Sequence, residues 1–339
     1  MSNLAPAYVT INPSYTMPEI LLPYSQASGA FDLLATGAPL VRLGEGDLAV
    51  YINRAEVRTQ IAAGQSAYNE LPSVSVVLSQ ISTPTYLMRV RAEYDHHDTA
   101  AMARRGVSIV QSNRLGMRQA HFQWTRVGLL YGFNPAQGEG LINAPGSTAI
   151  NMPPDSTGAD TATGYDNGEA GLFLAQQFGA IKTRTNQLGR GRKFCFTGPQ
   201  RVLELWEYNV VQLVQYQRAG AGADSTRGMI EGVLLKNGDR LSWAYDDTLI
   251  GKGQGGTDLL VLSMPEVERP DGGEFNTNEF AKLAPGLDAC TLQLTDMAAP
   301  REITTPLAGG ATDTLSEMRL TSGWPVRPES VTLVSIQYQ

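Results

Sequence analysis

A long amphipathic helix that runs directly into a glycine-rich loop constrains this chain more than any other feature of it. Ser108, with Gln111 three residues later, has the spacing of a capping box, in which the serine oxygen takes an amide of the first turn and the glutamine reaches back. Behind that start, Asn113, Met117, Ala120, His121, Trp124, Val127, Gly128 and Tyr131 recur at steps of three and four. They form one stripe of a helix about 30 Å long at 1.5 Å per residue. The stretch GLLYGFNPAQGEGLINAPG, residues 128–146, then places Gly132, Gly138 and Gly140 after the helix C-terminus. A phosphate cradle needs its glycines before a helix N-terminus, where amides point outward and the dipole is positive. At the opposite end they let the backbone turn and pass close to other chain, with Leu141 and Ile142 re-entering a core and Pro145-Gly146 making the next turn. On the other side of the helix Arg114 and Arg118 stand one turn apart and repel, so a carboxylate from elsewhere is expected between them.

Upstream, residues 1–45 read as an extended arm broken by Pro6, Pro13, Pro18, Pro23 and Pro39, with Ile20, Leu21 and Leu22 as apolar anchors. Such an arm has no core of its own. From Val74 the period becomes two: Val74, Val76 and Leu78 alternate with serines, then Met88, Val90, Ala92 and Tyr94 alternate with Arg89, Arg91 and Glu93. These are two half-buried strands linked at Ser82-Thr83-Pro84, either paired directly or parts of a longer two-stranded excursion beginning near Leu48. Asp98 can cap a short helix, DTAAMARR, that stops at Gly106.

Downstream, residues 147–170 have few apolar anchors and read as a domain boundary or surface loop. Lys193-Phe194-Cys195-Phe196 has the pattern of a buried strand, and Thr197 with Pro199 opens a helix whose stripe is Val202, Leu205, Trp206, Val210 and Leu213. Strands are expected at MIEGVLL, TDLLVLSM, CTLQLTDM and SVTLVSIQ. Strands and helices mixed in this order, around one outstanding helix, indicate an α+β class.

The residues give enzymatic chemistry little material. Charged residues make up 17% of the 339, well below an average soluble domain, while 35 Gly and 19 Pro point to turns and long ordered loops. A net charge of -7 argues against a dedicated nucleic-acid binder, leaving DNA contact local and non-specific. Cys195 and Cys290 are far apart and suggest neither a zinc knuckle nor a disulfide framework, which fits an intracellular setting. No run of eighteen apolar residues or signal-like N-terminus suggests a membrane span or secretion. GKGQGG at 251–256 imitates a dinucleotide fingerprint but precedes a strand instead of following one. The adjacent residues Asp95-His96-His97-Asp98 cannot all converge on one ion. His121, on the apolar stripe, reads as a hydrogen-bonded core histidine, and GRGRKF from Gly189 as a solvated loop entering a strand. No cofactor or metal is expected, and no catalytic residue is assigned; an Asp/Glu pair in an α+β hydrolase is the rival reading from the enzyme class.

The order of arm, two-stranded excursion, short helix, long helix and then Gly138-Glu139-Gly140-Leu141-Ile142-Asn143-Ala144-Pro145-Gly146 resembles the major capsid proteins of tailed bacteriophages, the Hong Kong ninety-seven type fold, in particular a branch from short-tailed phages. That branch has G-x-x-G-L-L-N-x-P-G after its spine helix, and here Ile142 stands for the commoner Leu. DDTLIGKGQGGTDLLVLSM, residues 246–264, is similar to the family's glycine turn entering a strand, and SEMRLTSGWPVRPESVTLVS to its last strands. The resemblance covers residues 74–335 or so. It implies an N-terminal arm at 1–45, an E-loop β-ribbon at 46–92, a P domain with the spine helix at 93–165, an A domain with mixed sheet and flanking helices at 166–295, and return strands at 296–339. It also implies a virion shell protein, not an enzyme, made and assembled in the bacterial host cytoplasm and closing as pentamers and hexamers around double-stranded DNA. Its partners would be a portal, a scaffold encoded separately because no long N-terminal scaffolding segment is seen, and in some shells a decoration protein. Expected contacts between copies are Ile20, Leu21, Leu22, Tyr51, Tyr86, Arg114, Arg118, Gly138, Gly140 and Asn143. A cellular nanocompartment shell of the encapsulin kind shares the fold and is the rival within it.

Overall fold

The structure, a computed structural model, describes residues 43–59, 74–165, 167–185, 191–211, 224–266, 291–292 and 300–339, apart from positions 45, 105, 107, 209 and 326. The anchors Ile20, Leu21 and Leu22 and the rest of the arm to residue 42 lie outside the described residues, as do Leu213, Cys290 and most of CTLQLTDM. In chain order the strands are β1 (Ala49–Thr59), β2 (Val74–Tyr94), β3 (Thr148–Asn151), β4 (Lys193–Gly198), β5 (Val210–Val211), β6 (Asp224–Ser225), β7 (Arg240–Tyr245), β8 (Asp258–Ser263), β9 (Thr291–Leu292), β10 (Arg301–Pro306), β11 (Thr312–Thr321), β12 (Trp324–Pro325) and β13 (Val331–Ile336). The α-helices are α1 (His96–Ala103), α2 (Ile109–Leu130), α3 (Asn167–Arg184), α4 (Gln200–Tyr208) and α5 (Thr226–Lys236). They sort into an elongated half and a compact half.

The elongated half is a sheet in the order β1-β2-β11-β10, with α2 laid along it. Ser82-Thr83-Pro84 is no turn: β2 is one strand of 21 residues, and of the two arrangements left open the molecule has the longer excursion. The far part of β2 pairs with β1, from Thr59↔Val74 to Ala49↔Pro84, and its near part with β11, from Thr85↔Thr321 to Tyr94↔Thr312. Pro84 therefore stands where the strand changes partners, and the β11 ladder loses no donor to it. The face carrying Tyr86, Met88, Ser316, Met318 and Leu320 meets α2, where His121 Nε2 and Ser316 Oγ lie 3.0 Å apart in the core. The opposite face is a ladder of charges, Arg91 with Asp313 at 2.9 Å and Arg89 with Glu317 at 3.4 Å. Asp95, not Asp98, caps α1; Asp98 is instead the reciprocal member of the box, three residues into the turn.

The compact half is a sheet in the order β3-β13-β8-β4-β7, parallel at its two edges and antiparallel through the centre. Its central strands are apolar on both sides because both sides are covered. Phe194, Phe196, Leu260, Leu262, Val334 and Ile336 pack under α3, α4 and α5. Cys195, Leu259, Val261, Val331 and Leu333 face Leu129 and Leu130 of the last turn of α2 and Leu141 of the loop after it. The end of the long helix is thus planted in the second face of the other half's sheet.

Four expectations change here. MIEGVLL is not a strand but part of α5: Ser225 caps it by accepting from Gly228 N, and Ile230 and Leu234 are buried four apart. Residues 147–170 are no free loop, since β3 pairs with β13, Ala162 N donates to Gln337 O at 2.7 Å, and Ala162 and Tyr165 are buried. Thr197 stays inside β4; the first amide of α4, Gln200 N, donates instead to Asp247 Oδ1 at 2.8 Å. The helix ends at Tyr208, and Val210 belongs to a two-residue strand.

Candidate assembly site

The last four carbonyls of a helix have no partner within it and must find donors elsewhere. For α2 the glycine loop and the β11–β12 link supply them. Gly128 O accepts from Gly323 N at 2.8 Å, Leu129 O from Leu141 N at 3.0 Å, Leu130 O from Ile142 N at 3.1 Å and Tyr131 O from Asn143 Nδ2 at 2.8 Å. The loop does this by folding back onto the turn it has just left. Gly132 and Gly140 meet there at φ +70 and +88, and a Cβ on Gly140 would lie 2.4 Å from Gly132 N and from Tyr131 C. The close approach expected of these glycines is therefore met within the chain, and Gly138, Gly140 and Asn143 close the helix end of their own molecule.

At the centre of this joint is Glu139, buried between the two glycines. Its carboxylate accepts from the Tyr86 hydroxyl at 2.7 and 2.9 Å, from Asn134 N at 3.0 Å and from Ser322 Oγ at 2.7 Å. One side chain thus ties β2, the loop after α2 and the end of β11 together. Burial first, then the bond to Glu139, push the Tyr86 hydroxyl up to about 12. The Tyr86 ring also packs on Phe133, with centroids 4.8 Å apart. On the far side of the joint the Tyr131 hydroxyl donates to Thr248 O at 2.6 Å, and burial raises its pKa.

The other expected residues are distributed along the elongated half. Tyr51 is 62% exposed on β1, beside Leu48 at 76%, on a ribbon that projects from the sheet. Arg114 finds the expected carboxylate, Glu302 of β10, at 3.0 Å, whereas Arg118 is exposed and pairs with no described carboxylate. Trp124, placed on the inward stripe by periodicity, is 46% exposed, and Arg126 is buried instead. GKGQGG is a loop entering β8, and Asp95 and Asp98 serve the α1 cap. Glu139 is the residue sequence reasoning passed over. Its signal was that it is the sole charged residue between 132 and 146, set between two glycines. Among the described residues no group of three or more His, Cys, Asp or Glu could hold a metal ion, and no helix is long and apolar enough to cross a membrane.

No family model matches the sequence, and no curated protein matches it. Solved structures do match in backbone. The chain is similar to the capsid of Myoviridae Phage XM1 at 9% identity, over 95% of this chain and 96% of that one, with a TM-score of 0.66. It is similar to the capsid of the cyanophage P-SCSP1u at 12% identity, over 98% and 99%, with a TM-score of 0.56. The capsid of a native GTA particle matches at 9% identity, over 98% and 97%, with a TM-score of 0.57. At such identities the likeness lies in the path of the chain. By that path the chain has the Hong Kong ninety-seven type fold of tailed-phage capsid subunits.

Proposed function

We propose that this chain is a major capsid protein, a subunit that associates with copies of itself into an icosahedral shell around the double-stranded DNA of a tailed bacteriophage. The observation that carries the reading is that the likeness to capsid subunits extends over 95% of the chain or more and as much of the partner in each comparison described, leaving no sizeable segment for another task. The exposed ribbon is in keeping with it. Leu48, Tyr51 and Val77 are 76%, 62% and 41% exposed on or beside the ribbon, and neighbouring copies would cover them. Heterologous contacts that close as rings of five and six give such a shell, and many weak repeated contacts make it strong. In this reading the protein is structural, not an enzyme, and resides in the virion after assembly in the host cytoplasm. A scaffold and portal act as separate proteins, a decoration protein is an optional further partner, and packaged DNA meets the inner wall through scattered Arg and Lys without sequence preference.

Light scattering and electron microscopy of the purified chain test this. Rings, sheets or closed shells of many copies are the expected result. A particle that stays monomeric at every concentration and hydrolyses a substrate would overturn it in favour of an Asp/Glu hydrolase. Shells that copurify with a cargo enzyme and no DNA would favour the nanocompartment.

A further inference from the structure

Other arginines at the edge of the core are each held by at least two bonds, although the Nε of Arg184 has no acceptor among the described residues. Arg201 makes two bonds to Asp258, at 2.8 and 2.7 Å, and Arg184 reaches the hydroxyls of Thr148 and Thr332. Arg126 of α2 is different. It retains only 7% of its surface, deeper than either, yet its Nε and Nη1 meet no hydrogen-bond acceptor among the described residues. A guanidinium so placed has given up water without a compensating partner, which is costly unless something completes it. Its surroundings do not. Its charge favours the ionised form of the Tyr131 hydroxyl, which is already committed to Thr248, and Asp246 acts on the same hydroxyl in the opposite sense while its Oδ1 holds Thr248. Lys252, over the Tyr131 ring at 5.6 Å, adds a second cation.

The position of Arg126 on the helix shows from which side completion comes. Leu115 and Phe122 precede it by eleven and four residues on the same side of α2, and they are 39% and 37% exposed. A stripe with two outward apolar side chains, Leu115 and Phe122, and with Arg118 and Gln119 beside them therefore runs along the helix and ends at a buried cation, at the place where the helix enters the compact half.

Building on the shell reading, we propose that this stripe is a docking surface for a second copy of the chain, which lays apolar side chains over Leu115 and Phe122 and a carboxylate against Arg126. Charge complementarity selects that occupant. The chain carries 33 Asp and Glu against 26 Lys and Arg, so each copy has acidic side chains to offer. The guanidinium is in effect pre-desolvated, and its pairing strengthens in a site from which water is already excluded.

Arg126→Met in the full chain tests this, because methionine keeps much of the packing and removes the charge. Unassembled variant subunits are expected to melt at or above the wild-type temperature, since an unpaired buried charge is lost. The concentration needed for assembly is expected to rise at least about tenfold, the scale of losing a buried interfacial charge pair. Four outcomes separate the ideas. Wild type that never assembles removes the shell reading itself. Wild-type shells with an unaltered variant threshold overturn this inference and leave the shell reading standing. A variant subunit whose own melting falls sharply places the partner of Arg126 inside its own chain, and also overturns it. A variant that assembles normally but fails to retain DNA overturns it in favour of a phosphate contact.

Discussion

The two halves of this molecule bury their side chains in different ways. The compact half covers its sheet on both faces, with Trp206, Phe178, Phe194 and Phe196 all at 2% exposure or less. The elongated half covers one face with a single helix, leaves the other as a ladder of ion pairs, and carries a ribbon whose Leu48 and Tyr51 are open to solvent. Surface ion pairs contribute little, about 0–1 kcal/mol each. The compact half is thus closed on one face by its own helices and on the other by the end of α2, whereas the elongated half reaches outward from it and depends on the joint and, in the proposed shell, on its neighbours.

Substitutions can break that contrast. Trp206→Ala opens a cavity in the compact core and is expected to cost about 3–5 kcal/mol, enough to leave the chain largely insoluble; a soluble variant with normal melting would show that this core does not hold the fold. Gly140→Val puts a β-branched side chain at φ +88 against backbone atoms 2.4 Å away. It should cost about 2–4 kcal/mol of the subunit's own stability, through strain and overpacking within one chain. Its damage would therefore precede assembly, which circular dichroism of unassembled subunits can read. Glu139→Gln keeps the shape of the joint and weakens three charge-assisted bonds, with an expected loss of about 1–3 kcal/mol and earlier hydrogen exchange at Asn134 than in the compact sheet.

The same joint has an alkaline signature. The Tyr86 pKa is raised from 10.0 to about 12, so the unfolded chain loses that proton first. The contribution of the hydroxyl is complete below pH 10 and is lost as pH rises through 12. Melting temperature should fall more steeply across that window in wild type than in Tyr86→Phe, and parallel curves would remove the assignment. The smallest effect on stability is expected at Tyr51→Ala, within about 0.5 kcal/mol in the free subunit. If shell formation were equally untouched, the ribbon would not be the contact surface that its exposure suggests.

Legibility in the sequence cuts across that division. The α2 start at Ser108, the core histidine at 121 and the strands at 193–198, 258–263 and 331–336 were readable because local signals and burial agree there. Helix α3 was not read, although Ala170, Leu174, Phe178 and Ile181 form a stripe, because its glycines and its uncharged outward positions blur the contrast that defines amphipathicity. MIEGVLL was misread because an apolar run of seven suits either period, and the deciding signal, Ser225, lies before it. The link read between two strands at Ser82-Thr83-Pro84 is continuous strand for a tertiary reason, since a change of pairing partner is invisible along one strand. Of the joint, the glycines were legible as a turn, but the side-chain partners of Glu139 lie 53 and 183 residues away in the chain.

The continuity of β2 has a mechanical consequence. At about 3.3 Å per residue its 21 residues span about 70 Å and pair with β1 over one part and with β11 over the other. A load applied at its far end would reach the base as torque, with its fulcrum where Tyr86 grips Glu139.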